Sequence, residues 1–291
     1  MKKQVLFTFI LAIVATMWTG TVQAQLTYYR LHICGKTVSS ANCKDLSVID
    51  GVSGKVSYDP NTNTLTLDNA TIDDVKYGFY APGVLVSNTI DDLTIRLIGN
   101  NLITAEKLGG MFHGYRNLTI TGDGKLTIKG SETCEEGTRY GFHNQGSVTV
   151  SGCTLVVSGG IMGLHRGRWK FDNCNVRAKG GGCSDKRKGS IGYMWYNIPE
   201  FINCAITSHT GTYWKLFDDN CKPAYSLFGA DDKVITDWVT ITKGATGIDT
   251  PNADTATKQG IYTLGGVRLE GELNDLPKGV YIVNGQKVVK Q

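Results

Sequence analysis

Five positions recur in one register of the chain and carry side chains able to hold a ligand: Tyr80, His113, His143, His165 and Trp195. They follow Phe79, Phe112, Phe142, Leu164 and Met194 in short alternating segments, so if those apolar residues face a core, the five neighbours face out. Three of the five histidines of the chain lie in this column between two aromatic residues. Sugar rings stack their apolar faces on aromatic side chains and share hydroxyl hydrogen bonds with imidazoles, so the column reads as a platform for a glycan. Two other accounts compete with it: inserted loops fold over the column and make it a second small core, or the histidines hold a metal at the surface. No zinc-type spacing accompanies them, and no metal is expected.

Charge marks a second candidate. Eight basic residues fall between Arg166 and Lys188, against only Asp172 and Asp185. Arg168, Lys170, Arg177 and Lys179 alternate with inward residues and project outward, a patch suited to the uronate or sulfate groups of an acidic polysaccharide. The plainer account is a solvated face that resists aggregation. Base stacking needs interleaved aromatics, yet Trp169 points inward, and Lys+Arg 30 nearly balances Asp+Glu 26, so no nucleic-acid partner is expected. A polysaccharide lyase needs carboxylates for Ca²⁺ and a basic proton acceptor, and a glycoside hydrolase needs two or three carboxylates on adjacent strands. The acids Asp73, Asp74, Asp91, Asp92, Asp123, Asp172 and Glu200 do not align in an outward column. No Ser/His/Asp set and no phosphate loop is present, and no cofactor is expected. Binding of a polysaccharide or other glycan, an acidic one included, is therefore the leading reading, with a lyase or hydrolase and a surface adhesion or structural protein as alternatives.

The elements that must position these side chains repeat. Leu93–Leu97, Leu118–Gly122, Val148–Gly152, Trp169–Asn173 and Pro199–Asn203 alternate with period two, and each is followed by a second short alternating run. The segments carrying the candidate column form a third strand, spaced by 33, 30, 22 and 30 residues. Three short strands per unit is the requirement of a right-handed parallel β-helix over residues 73–243, an all-β fold, and an immunoglobulin-like sandwich would lack this register. Glycine is frequent, at 36 residues against 6 prolines, as many tight turns require. Cys153, Cys174 and Cys204 share one position in three units, each two residues before an inward Leu155, Val176 or Ile206, and should stack inward as a ladder.

At the ends, residues 25–72 read as a β cap with a hairpin turn at Asp59–Asn63, and residues 244–258 as a linker before a small β module at 259–291. Cys34 and Cys43 flank a turn at Gly35 and are expected to form a disulfide if the compartment is oxidising. Such a compartment is indicated by Lys2 and Lys3, the apolar run from Val5 to Trp18 and the small residues before Gln25, a signal peptide over 1–24. No later segment is apolar enough to span a bilayer. The chain is expected to be secreted or on the outer cell surface, with the periplasm as the alternative.

Residues 260–289, with their core Leu276-Pro-Lys-Gly-Val-Tyr-Ile-Val283, resemble short C-terminal modules of secreted Bacteroidetes proteins similar to sorting domains of the type IX secretion system. That resemblance implies transport across the outer membrane, then release or surface attachment. Residues 28–72 and the repeats also resemble a group of exported Bacteroidetes β-helix proteins described as carbohydrate-binding. This second resemblance brings no catalytic residues.

Overall fold

The computed structural model of the chain describes residues 25–73, 83–87, 89–107, 109–132, 140–181, 188–219, 221–244, 261–263, 268–269, 271–283 and 286–290. The proposed signal peptide, Tyr80, Cys134, Cys183 and most of the proposed linker lie outside the described residues. The chain divides into two compact units, residues 1–245 and 246–291.

In the first unit, β1 (Tyr28–Ile33), β2 (Lys36–Ser39), β3 (Val52–Asp59), β4 (Thr64–Asp73) and β5 (Leu85–Ser87) precede four coils of three strands each. The coils are β6 (Leu93–Ile98), β7 (Asn100–Thr104) and β8 (Met111–His113); then β9 (Asn117–Gly122), β10 (Lys125–Lys129) and β11 (Tyr140–Asn144). They continue with β12 (Ser147–Ser151), β13 (Thr154–Ser158) and β14 (Met162–His165), then β15 (Arg168–Asp172), β16 (Asn175–Lys179) and β17 (Gly189–Gly192). The far end is built by β18 (Met194–Trp195), β19 (Glu200–Ile202), β20 (Cys204–Ile206), β21 (Tyr213–Asp218), β22 (Pro223–Phe228) and β23 (Val239–Lys243). Equivalent strands of successive coils pair in parallel, which makes the unit a parallel β-solenoid. Face one carries β6, β9, β12, β15 and β19, face two β7, β10, β13 and β16, and face three β5, β8, β11, β14 and β17.

Alternation fixes the interior. Leu65, Ile95, Ile120, Val150 and Phe171 stack in register on face one, Ile72, Ile103, Ile128, Val157 and Ala178 on face two, and Leu85, Met111, Phe142, Leu164 and Ile191 on face three. All are buried in one continuous core. Burying each such aliphatic or aromatic side chain contributes about 1.5–3 kcal/mol, so a coil that cannot fold alone is held by its neighbours. The bulk grows toward the far end, where Phe142 meets Trp169 edge-on at 5.0 Å and Trp169 stacks on Phe171 at 5.9 Å.

The structure moves the expected boundaries. Residues 64–73 are not cap but first rung: Thr64–Asp68 pairs in parallel with β6 and Thr71–Asp73 with β7. The cap proper is β3, an antiparallel hairpin partner of β4 through a turn at 60–63, within the expected Asp59–Asn63, together with β1, which lies antiparallel to β5. At the other end β20 does not stack on β16. The antiparallel strand β23 lies between them, because the chain returns after the β21–β22 hairpin and completes face two.

Cys153, Cys174 and Cys204 are all buried and packed in the core. Gly152, Asn173 and Asn203 precede them with φ of 72°, 46° and 50°, the left-handed corner that turns the chain from face one to face two. The Cys153 thiol donates to Ile120 O (3.6 Å) and the Cys204 thiol to Phe171 O (3.3 Å), each reaching the coil before it. Burial pushes the Cys153 thiol up to about 11 and the Cys174 thiol up to about 12, the latter helped by its two neighbours in the ladder. Thiolate is the reactive form. Native full-length chain treated with iodoacetamide at pH 8 should therefore label exposed Cys221 and leave Cys153 and Cys174 unmodified until denaturant is added. Peptide mapping that finds Cys174 alkylated in folded protein would refute the ladder.

The expected Cys34–Cys43 disulfide is not formed. The Cys34 thiol turns toward the backbone of the first rung and donates to Asp73 O (3.5 Å), whereas Cys43 sits against Tyr29 and Tyr58. Flanking a turn in sequence did not aim the two sulfurs at each other.

The second unit is a four-stranded antiparallel sheet of β24 (Ile261–Thr263), β25 (Arg268–Leu269), β26 (Gly279–Val283) and β27 (Gln286–Lys290) in the order β25-β24-β26-β27. Tyr281 is buried and its hydroxyl donates to Pro277 O (2.7 Å), tying the Leu-Pro-Lys-Gly entry to its own strand. No helix of the described residues is long and apolar enough to cross a membrane.

Candidate functional site

Face three carries the candidate column, and its register differs from the expected one. Met111, not Phe112, aligns with Phe142 and Leu164, so the outward column runs His32, Val86, Phe112, His143, His165 and Gly192. His113 instead aligns with Ser87 and Asn144, and it is buried. Trp195 is not in the column: it belongs to β18, antiparallel to β22, and it too is buried. In this register β5 is the strand that pairs with β8 on the cap side, and Tyr80 lies outside the described residues.

His113 is a clamp. Its Nε2 lies 2.8 Å from Arg116 O and its Nδ1 2.8 Å from Ser87 Oγ. A carbonyl can only accept, so Nε2 carries the proton and Nδ1 accepts from the Ser87 hydroxyl. Burial lowers the His113 pKa, which keeps this neutral tautomer in place. The bonds fix the turn 114–116 from beneath, and Asn144 does the same one coil on, accepting from Gly146 N (2.8 Å) and donating to Gly146 O and Arg168 O (both 3.3 Å).

What the clamped turn presents is Tyr115, 70% exposed. Beside it Phe112, Gly114 and Gln145 from the coils and Arg30, His32 and Thr89 from the cap side line a groove of about 440 Å³. Arg30 Nη1 donates to Thr89 Oγ1 (2.6 Å), which holds the guanidinium at the rim. His32 Nδ1 lies 3.2 Å from Thr37 Oγ1, and burial lowers its pKa, so the imidazole is neutral at pH 7. The groove thus offers two aromatic surfaces, a cation, a neutral imidazole and an amide. No carboxylate lines it among the described residues. None of these residues was signalled as a site in the sequence: Phe112 was expected to face the core, and Tyr115 lies in a turn where alternation carries no information.

The other end of the column is covered. His143 and His165 face away from the coil but are buried, packed edge-on at 4.7 Å, with Tyr140 stacked on His165 at 3.8 Å. The β21–β22 hairpin closes over this region, its Phe217 stacked on Tyr193 at 6.1 Å. The hairpin turn is tied by a two-pronged ion pair, Arg166 Nε to Asp219 Oδ2 (2.9 Å) and Nη2 to Asp219 Oδ1 (3.1 Å). Trp195 Nε1 donates to the same carboxylate (3.0 Å), and Lys222 Nζ sits 4.0 Å from the centre of the Trp195 rings. Both ring nitrogens of His143 are buried without a hydrogen-bond partner among the described residues. Burial, then the Arg166 guanidinium, lower its pKa to about 4 against a weaker upward pull from Asp219. An exposed platform built of His143, His165 and Trp195 is therefore replaced by a second small core.

The four basic positions also separate. Arg168 and Lys170 are on face one, where Lys170 pairs with Glu200 (3.4 Å) and Arg168 Nε donates to Ser147 Oγ (3.2 Å). Arg177 and Lys179 are on face two, around the corner at 173–174. Among the described residues no group of His, Cys, Asp and Glu is arranged to hold a metal. In comparisons with known proteins, no family model matches the chain, and no curated protein and no solved structure matches it.

Proposed function

We propose that the chain is an exported glycan-binding protein, and that the groove at the open end of face three holds a sugar without cleaving it. The observation that carries this reading is Tyr115: an exposed ring on a turn locked by His113, next to Phe112 and ringed by Arg30, His32 and Gln145. Stacking on a pre-positioned ring, with polar groups at the edge to take hydroxyls, is what sugar recognition requires, and a turn that does not have to be ordered on binding loses less entropy. Among the described residues the groove supplies neither member of the carboxylate pair used in glycoside hydrolysis.

On this reading Tyr115→Ala weakens binding of a neutral oligosaccharide, selected on a glycan array and followed by calorimetry, by about 1–2 kcal/mol, roughly the scale of a lost aromatic contact. Its unfolding midpoint stays close to that of the parent, because an exposed side chain leaves no cavity. Unchanged affinity in a Tyr115→Ala/Arg30→Ala double variant would reject the groove, and release of reducing ends by the purified chain would reject the non-catalytic reading.

A further inference from the structure

Face two gathers cations on its coil strands. Its four coil strands read Asn-Asn-Leu-Ile-Thr, Lys-Leu-Thr-Ile-Lys, Thr-Leu-Val-Val-Ser and Asn-Val-Arg-Ala-Lys, with four cations and no carboxylate. Lys125, Lys129, Arg177 and Lys179 are all exposed, and none makes an ion pair with a described residue. Face one, by contrast, sets Asp172 and Glu200 among its cations. Acids adjoin these strands without lying in them: Asp73 in the first rung beside Thr104, and Glu106, Asp123 and Glu132 in the turns.

The register sorts these side chains into columns. Asp73, Thr104, Lys129, Ser158 and Lys179 form one, its acid at the cap end away from the lysines, and Asn100, Lys125, Thr154 and Asn175 another. Between them runs Leu102, Thr127, Val156 and Arg177, half apolar, with the guanidinium of Arg177 4.6 Å from the centre of the Trp238 rings. With strands ~4.8 Å apart, Lys129 and Lys179 are separated by ~10 Å along the stack, and Lys125 and Lys129 by ~13 Å along one strand. Lys125, Lys129 and Lys179, none in an ion pair with a described residue, flank a strip of hydroxyl and aliphatic carbon that ends in Arg177.

We infer that face two binds a linear acidic polysaccharide, its carboxylate or sulfate groups reaching the cations and its sugar rings lying over the strip between them. Charge complementarity names an anion, and cations ~10 Å and ~13 Å apart lie beyond the reach of one sugar ring, which names a chain of sugars. A single-stranded nucleic acid shares the charge but needs open aromatic rings on which to stack bases; these four strands have none, and Trp238 beside them already has the Arg177 guanidinium over its ring. The inference extends the glycan-binding reading to a second surface and to an acidic class of ligand, independent of the Tyr115 groove.

The test uses the full chain and three probes: an oligogalacturonate, a heparin-derived oligosaccharide and a single-stranded oligonucleotide of similar length. The expected result is that at least one acidic oligosaccharide binds, more weakly as salt rises. A Lys129→Gln/Arg177→Gln/Lys179→Gln variant should lose about tenfold in affinity for it, since each exposed charge contact is weak alone and the three losses multiply. Arg168→Gln/Lys170→Gln on face one and Tyr115→Ala should leave that affinity unchanged. Loss in Tyr115→Ala alone would assign the acidic glycan to the groove and overturn the inference while sparing the glycan reading. Absence of binding by both acidic oligosaccharides, equal binding by the triple variant, or tighter binding of the oligonucleotide would each overturn it as well.

Discussion

Gly141→Ala is expected to lower the stability of the solenoid unit by ~2–3 kcal/mol, a typical cost of forcing extra volume into a closed corner. A Cβ at Gly141 would stand 2.4 Å from Val157 Cγ1, 2.6 Å from Ser158 O and 2.9 Å from Gly163 O. Two of these atoms are backbone of neighbouring strands and cannot turn away. The position is one rung of a ladder: a Cβ at Gly110 would meet Gly141 O at 2.8 Å, and one at Gly163 would meet Ser190 O at 2.7 Å. Urea unfolding at pH 7, with Thr127→Ala as a surface control, gives the comparison. Equal midpoints for Gly141→Ala and parent would mean that the corner has room to open.

Acid should destabilise the same unit through His143. Its pKa falls from the ordinary 6.5 to about 4 on folding, because burial and the Arg166 guanidinium disfavour the imidazolium. The unfolded chain therefore binds the proton first. The contribution is complete above pH ~6.5, shrinks as pH falls, and is gone below about 4, a total of about 3 kcal/mol. His113 and His32, whose pKa values are also lowered, act in the same direction. Carboxylates protonate in the lower part of this range, so the informative quantity is the difference between parent and His143→Phe. Phenylalanine is a fair replacement because Phe112 occupies the same column one coil earlier. Between pH 7 and 4.5 the variant should lose less stability than the parent; parallel curves would show that His143 is not the group responsible.

The coils were legible because period-two alternation in segments such as Leu118–Gly122 and Val148–Gly152 leaves only one side chain pattern that buries a face. The cysteine ladder was legible for the same reason. On face three, alternation fails where two apolar residues are adjacent: Met111 and Phe112 can each take the inner place, and choosing Phe112 moved His113 to the wrong side. The Gly-Phe-His and Gly-Leu-His repeats were read for their histidines, but the glycines are what the corner requires. Neither the Arg166–Asp219 pair nor the cover it holds could be read from spacing, since the partners come from a coil corner and a distant hairpin. The splitting of Arg168 and Lys170 from Arg177 and Lys179 was hidden at Asn173, where one left-handed residue turns the chain onto another face.

During synthesis, each strand of β7, β10 and β13 gains its next neighbour as soon as the following coil emerges. For β16 the wait is longer. Its outer edge is covered by Val239–Lys243, so residues 180–238 must be made first, and until then a row of backbone donors and acceptors stays open. A nascent chain can zip up coil by coil yet cannot finish, and a chain cut short before residue 239 is left with a sticky end where the intact one has a seal.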